Sequence, residues 1–452
     1  MDGETEVTVI GAGLAGAEAA WQLARRGVRV ALREMRPLRT TPAHVTGDFA
    51  ELVCSNSLHA DDPANAAGLL KAEMERLGSL IIAAARAAAV PAGGALAVDR
   101  ARFSAAVTER LLGHPLVSVC RAEAVSIPPG PVVIATGPLT SEAMAAAIRE
   151  LTGREALYFF DAAAPIITLE SVDQSRAFWA SRYGRGGRDY LNCPMDEEEY
   201  QRFHAALLTA QTAEVHGFER HMVFEGCMPV EVMAGRGQRT LAFGPLKPVG
   251  LIDPRTGRQP FAVVQLRKEN LAGTLLNLVG FQTHLRRGEQ ERVFRLIPGL
   301  EKAEFVRYGV MHRNTFIRGP AVLNLDFSAK ARPDVFFAGQ ITGVEGYVES
   351  AASGLMTALA LLARRRGRPV FAFPAETALG GLAAHVTASP SADYQPMNVN
   401  FGLLPPDNRK KRGKKEKKLA LATRSLAALD DFILDCALNE GDPEQPCLPT
   451  QL

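Results

Sequence analysis

A glycine-rich turn near the N-terminus is the feature that most constrains the fold of this 452-residue chain. It follows an apolar run at residues 7–10 and precedes an alanine-rich stretch with a helical pattern that ends near Arg26. In such a strand–turn–helix unit, the first glycine permits a tight turn, the second lets the backbone approach a pyrophosphate, and the third lets helix and strand pack closely. The predicted pyrophosphate-binding residues are Gly11, Ala12, Gly13, Leu14, Ala15 and Gly16.

An acidic residue after the next predicted strand indicates which dinucleotides the turn can bind. Gly27 is typical of a helix end, and a strand predicted at residues 28–32 leads to Glu34. A carboxylate at this distance from the turn accepts hydrogen bonds from both ribose hydroxyls and disfavours a 2′-phosphate. The unit therefore predicts FAD or NAD, with a glycine-rich turn that binds nothing as the alternative.

Two later strand–glycine segments favour FAD over NAD. Residues 131–137 and 334–339 each predict a short buried strand that ends in glycine, and a helix is predicted to begin shortly after the second. Backbone N–H groups and a helix N-terminus would then face the flavin, although each segment alone also fits plain core. No second GxGxxG follows a strand, so an NAD(P)H reductant would have to visit the flavin directly. The cofactor contacts predicted in these segments are Thr136, Gly137, Gly339, Gln340 and Gly346.

A long stretch separates these segments, which predicts one domain inserted into another. The predicted fold class is α/β, a glutathione-reductase-type (Rossmann-like) FAD-binding domain with an inserted α+β domain. The predicted boundaries are 1–139 and 326–440 for the FAD-binding domain, 140–325 for the insertion and 441–452 for a disordered tail. Smaller predictions are a strand at 164–169, helices at 100–112 and 197–212, and a loop at 383–395.

Composition predicts a cytoplasmic protein without a metal site or a membrane segment. Hydrophobic residues make up 47% and charged residues 22% of the chain, as in soluble globular domains. Six cysteines without CxxC spacing argue against zinc and against a disulfide framework, and favour a reducing compartment. Acidic residues stand where a signal peptide would be basic. The longest apolar stretch, 351–363, is too short to span a bilayer and predicts a buried helix.

Positive charge is concentrated near the C-terminus. Residues 409–418 carry eight positive charges and one negative charge, so the rest of the chain has a formal charge of about −5, which is +2 minus +7. Such a run is typical of a solvated basic tail. The alternative is an RNA phosphate contact that adds affinity but no base recognition, because few aromatic residues are interleaved.

Two cysteines lie in segments that favour exposure. Cys54 stands in ELVCSNSL among small polar residues, and Cys227 stands in FEGCMPVE between a glycine and a methionine-proline pair. Pro229 is a residue type that opens helices, and a helix N-terminus lowers the pKa of a nearby thiol. An inert, buried cysteine is the alternative for each.

Seven segments over nearly the whole chain carry a family resemblance. They are VTVIGAGLAGAEAA, EMRP, ELVCSNSL, FEGCMPVE, FGPLKPVGL, LVGFQTHL and FFAGQITGVEGYVESAASG. Together they closely resemble the folate- and FAD-dependent tRNA (uracil-5-)-methyltransferases, the TrmFO family. The two cysteine segments and the last segment are the most specific.

The resemblance implies conversion of a uridine in the T-loop of tRNA to 5-methyluridine. In that family methylenetetrahydrofolate donates the carbon, reduced FAD supplies a hydride, and NAD(P)H reduces the flavin. Because C5 of uracil is a weak nucleophile, a cysteine thiolate adds at C6 and a general base removes the C5 proton. The implied roles are C6 nucleophile for Cys227 and second active-site thiol for Cys54, with exchange of the two left open.

Further contacts follow from the resemblance on weaker grounds. Lys247 is a candidate for a phosphate or glutamyl-tail contact, with an ordinary exposed loop lysine as the alternative. Candidates for the pterin site are Gln282, Thr283 and His284.

Other functions remain open at the level of sequence. The related GidA/MnmG proteins modify wobble uridine with a partner and share the FAD segments. They carry a long C-terminal extension that has no counterpart in this sequence, which argues against the same activity here. A flavin-bound RNA-binding scaffold with inert cysteines would not need both cysteine segments. A small-molecule flavin oxidoreductase would explain neither the cysteines nor the basic run.

Overall fold

The computed structural model describes residues 6–153, 157–213, 228–368, 372–390, 394–406 and 413–436. The strands in these ranges are β1 Val7–Ile10, β2 Val30–Glu34, β3 Ser57–Ala60, β4 Ala89–Val90, β5 Ala95–Val98, β6 Val117–Arg121, β7 Val132–Ile134, β8 Leu157–Ala162, β9 Ile166–Thr168, β10 Phe178–Ala180, β11 Tyr190–Met195, β12 Ala262–Lys268, β13 Leu275–Leu278, β14 Phe305–Arg307, β15 Met311–Phe316 and β16 Val335–Phe337.

The α-helices in the same ranges alternate with the early strands and dominate the C-terminal part. They are α1 Leu14–Ala24, α2 Ala66–Arg76, α3 Leu80–Ala87, α4 Arg100–Leu112, α5 Glu142–Thr152, α6 Glu197–Thr209, α7 Val230–Gly235, α8 Thr240–Phe243, α9 Arg287–Phe294, α10 Gly319–Val322, α11 Tyr347–Arg365, α12 Ala378–Ala388 and α13 Lys414–Asp435.

A five-stranded parallel sheet organises the first unit. Its strand order is β16-β7-β1-β2-β6, and every neighbouring pair is parallel. Numbered along the chain this is 5-4-1-2-3, the Rossmann order read from the other edge. The strand order reverses beside β1, and ligands of such sheets bind at the carboxyl ends of the strands at this point. The predicted α/β fold class is therefore confirmed.

Close backbone packing joins α1 and α11 above this sheet. A Cβ atom at Gly354 of α11 would lie 2.1 Å from the carbonyl oxygen of Ala15 in α1, so only glycine fits there. The predicted buried helix at 351–363 is correct, because all of these residues are buried in α11. Both helix N-termini lie beside the carboxyl edge of the sheet, since α1 follows β1 and α11 follows β16.

The second unit is built on a six-stranded antiparallel sheet of order β10-β11-β12-β13-β9-β14. The residues that the structure describes form two main apolar cores. The first draws on residues before 152 and after 316, and the second on residues 164–305. Helix α6 packs on the second sheet through Tyr200 and Phe203, which are fully buried. The domain boundaries given above stay predictions.

Local predictions near the turn agree closely with the structure, with one shift. Helix α4 covers the predicted residues 100–112, whereas β2 begins two residues later than predicted and ends at Glu34 itself. Gly27 has φ +86° and follows the end of α1, as a helix-terminating glycine does.

One prediction for the C-terminal part is wrong. Residues 383–388, predicted as part of a loop, belong to helix α12, whose first N–H groups are capped by Thr377 and by the distant Glu73 carboxylate. The described end of the basic run, from Lys414, forms the first turns of the 22-residue helix α13. The predicted tail at 441–452 lies outside the described residues.

Within the described ranges, no helix is long and apolar enough to cross a membrane. No group of three or more His, Cys, Asp or Glu side chains in the same ranges is arranged to hold a metal ion.

Candidate active site at the carboxyl edge of the parallel sheet

The three glycines of the N-terminal turn have different surroundings. Gly11 has φ +95°, and a Cβ atom there would lie 2.5 Å from the carbonyl oxygen of Ala135. A Cβ atom at Gly16 would lie 1.8 Å from the carbonyl oxygen of Gly11. A Cβ atom at Gly13 would meet nothing within 4 Å. The first and third glycines therefore serve packing, and the second leaves a space beside the backbone that a ligand can fill.

This space belongs to a cleft with an empty volume of about 1010 Å³ at the end of the sheet. Ala12 and Gly16 shape the turn without lining the cleft, and Gly346 lies in an adjoining cavity. The predicted residues that do line the cleft are Gly11, Gly13, Leu14, Ala15, Glu34, Thr136, Gly137, Gly339 and Gln340.

Glu34 is buried at the floor of the cleft and already engaged by the protein. Its carboxylate accepts hydrogen bonds from the Ala12 N–H (2.8 Å) and from the Arg36 N–H and Nε (both 3.0 Å). Burial acts to raise the pKa of Glu34, but the Arg36 hydrogen bonds and charge and the two backbone N–H groups lower it overall. Glu34 is therefore held as a carboxylate by the Ala12 N–H of the turn and by Arg36, and Arg36 also binds Glu51 (3.1 Å).

A second cavity, with an empty volume of about 1270 Å³, continues from the cleft. The two spaces share wall residues, so a ligand in one borders the other; these are Val53, Pro138, Leu139, Gln340 and Tyr347. Cys54 lines this second cavity. Both units supply its walls, and the six-stranded sheet contributes Arg267 and Asn277.

Tyr347 and two arginines fix the backbone around Cys54. The hydroxyl oxygen of Tyr347, at the start of α11, accepts the N–H groups of Cys54 (2.6 Å) and Ser55 (3.1 Å). Arg100 donates to the Cys54 carbonyl (3.1 Å), and Arg307 donates to the Val53 carbonyl (2.7 Å). Burial raises the pKa of the Tyr347 hydroxyl, so it keeps its proton near neutral pH.

A buried arginine from the second unit completes this support. Arg267 donates from Nε to Asn56 Oδ1 and from Nη2 to Ser55 Oγ, both at 2.9 Å. Glu269, the residue directly after β12, forms an ion pair with Arg100. Burial raises the pKa of Glu269, and the charges of Arg100 and Arg267 oppose that rise. The Cys54 loop is therefore held between the two units by charged groups.

The segment after β16 forms a further wall of the two spaces. Gly339 has φ +84° and Gly346 has φ +110°, and α11 begins directly after Gly346. Gln340 donates to Glu345 (2.6 Å), and Asn398 donates to the Glu345 carbonyl (2.8 Å). The predicted helix start near Gly346 is confirmed.

The second predicted cysteine, Cys227, lies outside the described residues. Helix α7 begins at Val230 directly after Pro229, as predicted. The Val230 N–H donates to the Gln282 carbonyl (2.7 Å), and Gln282 lines the second cavity.

Two of the three predicted pterin contacts are engaged elsewhere. Thr283 is fully buried and donates to Glu231 (2.8 Å), and His284 Nδ1 lies 2.7 Å from the same carboxylate. Lys247 is exposed and lines neither space.

Sequence reasoning missed several residues of the site. Tyr347 stands inside a segment singled out for its glycines, and its position at the start of a predicted helix was the available signal. Arg267 and Asn277 lie on strands of the six-stranded sheet and Asn314 lies on β15, and none of the three carries a local motif. Only the fold brings them beside Cys54.

Comparisons with known proteins agree with this architecture. A family model described as glucose inhibited division protein A matches residues 6–369. Methylenetetrahydrofolate–tRNA-(uracil-5-)-methyltransferase TrmFO of Desulfitobacterium hafniense (strain Y51) is 64% identical over 427 residues, which cover 94% of this chain and 98% of the relative. The protein of the same name from Heliobacterium modesticaldum is 62% identical over 430 residues, covering 95% and 98%.

The fold also matches a solved structure. GidA of Aquifex aeolicus, in its form II crystal, has a TM-score of 0.72 with 16% sequence identity over 96% of this chain and 74% of that chain. At this identity the likeness concerns the fold alone.

The parallel sheet, the glycine turn and the cleft at its edge define a Rossmann-type dinucleotide-binding protein in which a second unit forms part of the site. The chain belongs to the glucose inhibited division protein A family and, within it, to the TrmFO proteins.

Proposed function

We propose that this protein methylates C5 of a uridine in the T-loop of tRNA, with methylenetetrahydrofolate as the carbon donor and FAD as the resident cofactor. One observation carries the proposal: the cleft beside the glycine turn runs directly into a cavity lined by Cys54, in a chain of the TrmFO family. Methyl transfer from a methylene donor needs a redox cofactor and a nucleophile side by side, and this arrangement provides room for both.

The residues of the cleft fit FAD. The open space beside Gly13 suits a pyrophosphate against the backbone, and Glu34 lies where a ribose is expected. The segment from Gly339 to Gly346 lies where the flavin end is expected, beside the second cavity. When bound and reduced, FAD supplies the hydride that turns a methylene into a methyl group.

The two cysteines take the roles that the resemblance implies. Cys227 is the nucleophile that adds to uracil C6, and Cys54 is the second thiol that assists proton removal at C5. Val230 contacts Gln282 in the cavity wall. This contact brings the first residue of α7 to the wall of the cavity in which the reaction is proposed to occur.

The remaining partners follow from the same proposal. NAD(P)H reduces the flavin by visiting the cleft, tRNA is the macromolecular substrate, and the compartment is the cytoplasm. The basic segment at 409–418 adds phosphate contacts for the tRNA.

Nucleoside analysis tests the proposal. FAD-loaded protein is incubated with unmodified tRNA, methylenetetrahydrofolate and NAD(P)H, and the digested tRNA is searched for 5-methyluridine. We expect one 5-methyluridine per tRNA in the T-loop, and none when the folate is omitted. Absence of 5-methyluridine with an FAD-loaded protein and all substrates would refute the assignment.

A second candidate is wobble-uridine modification with a partner protein, as in GidA/MnmG proteins. The family model and the fold shared with GidA favour it. The same nucleoside analysis separates the two, because the modified position then lies in the anticodon and the base is not 5-methyluridine.

A further inference from the structure

Two buried asparagines in the wall of the second cavity have no role in the function proposed so far. Asn277 lies on β13 and Asn314 on β15; both are 2% exposed and both line the cavity. The Nδ2 atom of each has no hydrogen-bond partner within the part of the chain that the structure describes. Burying an amide donor without a partner costs folding free energy, so each such donor requires an explanation.

A third buried asparagine shows what a purely structural role looks like. Asn192 on β11 belongs to the same antiparallel sheet as Asn277. Its Nδ2 donates to the carbonyls of Phe178 (3.1 Å), Ala180 (3.0 Å) and Tyr190 (3.0 Å). Its Oδ1 accepts from Gln265 (2.9 Å). Asn192 is therefore fully satisfied within the protein, unlike the two asparagines of the cavity.

We propose that Asn277 and Asn314 bind the lactam edge of the heterocycle that enters this cavity. The inference rests on the proposed function, under which the cavity receives uracil and a pterin. Both rings carry a carbonyl next to a ring N–H, and an asparagine amide offers the matching donor and acceptor. The amide is neutral, so it adds no charge beside the buried Arg267, which already holds Ser55 and Asn56.

The placement of the pair supports this role. The two strands approach the cavity from different sheets, β13 from the six-stranded sheet and β15 from the two-stranded ladder with β8. Cys54 lines the same cavity. A ring held by the two amides therefore lies in the compartment of the candidate thiol. A site that leaves polar groups unpaired without its ligand discriminates strongly against rings that lack the matching edge.

The test uses FAD-loaded protein with Asn277→Leu or Asn314→Leu, and Asn192→Leu as the matched control. Three quantities are measured: the thermal midpoint, the Kd for tetrahydrofolate and the Kd for unmodified tRNA. Because an unpaired donor is removed, each cavity variant keeps or raises the midpoint. Each also weakens one ligand about tenfold, the loss of roughly one hydrogen bond. Asn192→Leu lowers the midpoint and leaves both Kd values unchanged.

The two Kd values show which ring each asparagine binds, because tRNA carries the uracil and tetrahydrofolate carries the pterin. Weaker tRNA binding with unchanged folate binding assigns the amide to uracil, and the reverse assigns it to the pterin. If a leucine variant does not fold, Asn277→Ala and Asn314→Ala, which only enlarge the cavity, decide by the same Kd values.

Unchanged Kd values in variants of a wild-type protein that binds both ligands overturn this inference alone. A wild-type holoprotein that binds neither ligand overturns the proposed function, and the inference with it.

Discussion

At the scale of single residues, Gly13 and Cys54 contribute to the site in different ways. Gly13 leaves space for a ligand because it has no side chain, whereas Cys54 contributes a thiol. Gly13 is the glycine of the turn whose absent Cβ faces an open space, whereas Gly11 and Gly16 are filled in by neighbouring backbone. Cys54 is positioned by hydrogen bonds to its own backbone N–H and carbonyl. Substitutions at Gly13 and Cys54 can therefore affect ligand binding or reactivity without disturbing the packing of the protein.

Gly13→Val is expected to lose FAD while keeping the fold. The added side chain meets no protein atom within 4 Å at its Cβ and fills the space proposed for the pyrophosphate. The stability cost should stay near 1 kcal/mol, since Gly13 is the N-cap of α1 and valine is a poor N-cap.

Flavin absorbance after purification measures this effect, with about one FAD per chain expected for the wild type. Gly94→Val is the matched control, because a Cβ atom at this exposed glycine also meets nothing within 4 Å and Gly94 lines neither space. A Gly13→Val protein that keeps its full flavin would contradict the pyrophosphate assignment.

Cys227→Ala is expected to abolish methyl transfer and to retain FAD, because the proposed role of the thiol is to act on the uracil ring and not on the cofactor. A covalent complex with tRNA containing 5-fluorouridine reports the nucleophile directly, since fluorine blocks the elimination that releases the enzyme. Cys120→Ala, at an exposed cysteine of β6 outside both spaces, serves as the control.

The trapping result also decides between the two cysteines. If Cys227→Ala still forms the complex and Cys54→Ala does not, the two roles are exchanged. If both variants keep the complex and the activity, the thiol mechanism is wrong.

At the scale of elements, a buried carboxylate joins three helices. Glu73 of α2 accepts the N–H groups of Ala378 (2.7 Å) and Leu379 (2.9 Å) at the start of α12. It also accepts the hydroxyl of Ser425 in α13. Burial raises the pKa of Glu73 to about 7, although the hydrogen bonds from Ser425 and the two amides act to lower it.

This carboxyl predicts a pH-dependent stability with a defined sign. Between about pH 4.5 and pH 7 the unfolded chain has lost the proton that the folded protein keeps, so the free energy of unfolding falls as the pH rises. The loss amounts to about 3 kcal/mol and is complete above pH 7. Glu73→Gln removes this contribution.

Urea unfolding of the wild type and of Glu73→Gln between pH 4.5 and 8 measures this contribution. It is the difference between the free energies of unfolding of the two proteins at each pH. Ser425→Ala removes a hydrogen bond that lowers the pKa, so the decline should extend to higher pH. A difference that does not change with pH would show that Glu73 titrates normally in the folded protein.

At the scale of the whole molecule, the positive charge at the start of α13 is expected to attract tRNA, a large polyanion. Lys415, Lys417 and Lys418 lie in the first turns of α13, where the helix dipole disfavours cations. Replacing these three with glutamine should flatten the slope of log K for tRNA against log salt by roughly 2 to 3 units. The methylated position and the FAD content should not change.

An unchanged salt slope in the triple variant would place tRNA binding elsewhere. The next candidates are Arg182, Arg185 and Arg188 of the second unit. Of these, Arg182 is itself bound to Gln265 (2.9 Å), so Arg185 and Arg188 would be substituted first.

Features that depend on residues close together in the chain could be predicted from the sequence, and features that depend on distant residues could not. The turn around Gly13, the helix start after Gly346 and the helix after Pro229 depend on neighbours in the chain, and they were predicted correctly. Helix α12 was missed although Thr377 caps it locally, and its other cap, Glu73, lies 305 positions before Ala378, where no local pattern shows it. Asn277 and Asn314 stand in ordinary strand patterns, and only the assembled cavity distinguishes them.

The hydrogen bond from Arg307 to the Val53 carbonyl has a consequence for protein synthesis. The two residues are 254 positions apart, so the Cys54 loop leaves the ribosome long before its supporting arginine exists. At translation rates of 5 to 20 residues per second, that interval is roughly 10 to 50 s. During this time a nascent chain carries the glycine turn but not a finished thiol site, and a truncated product ending before residue 267 also lacks the arginine that holds Ser55 and Asn56.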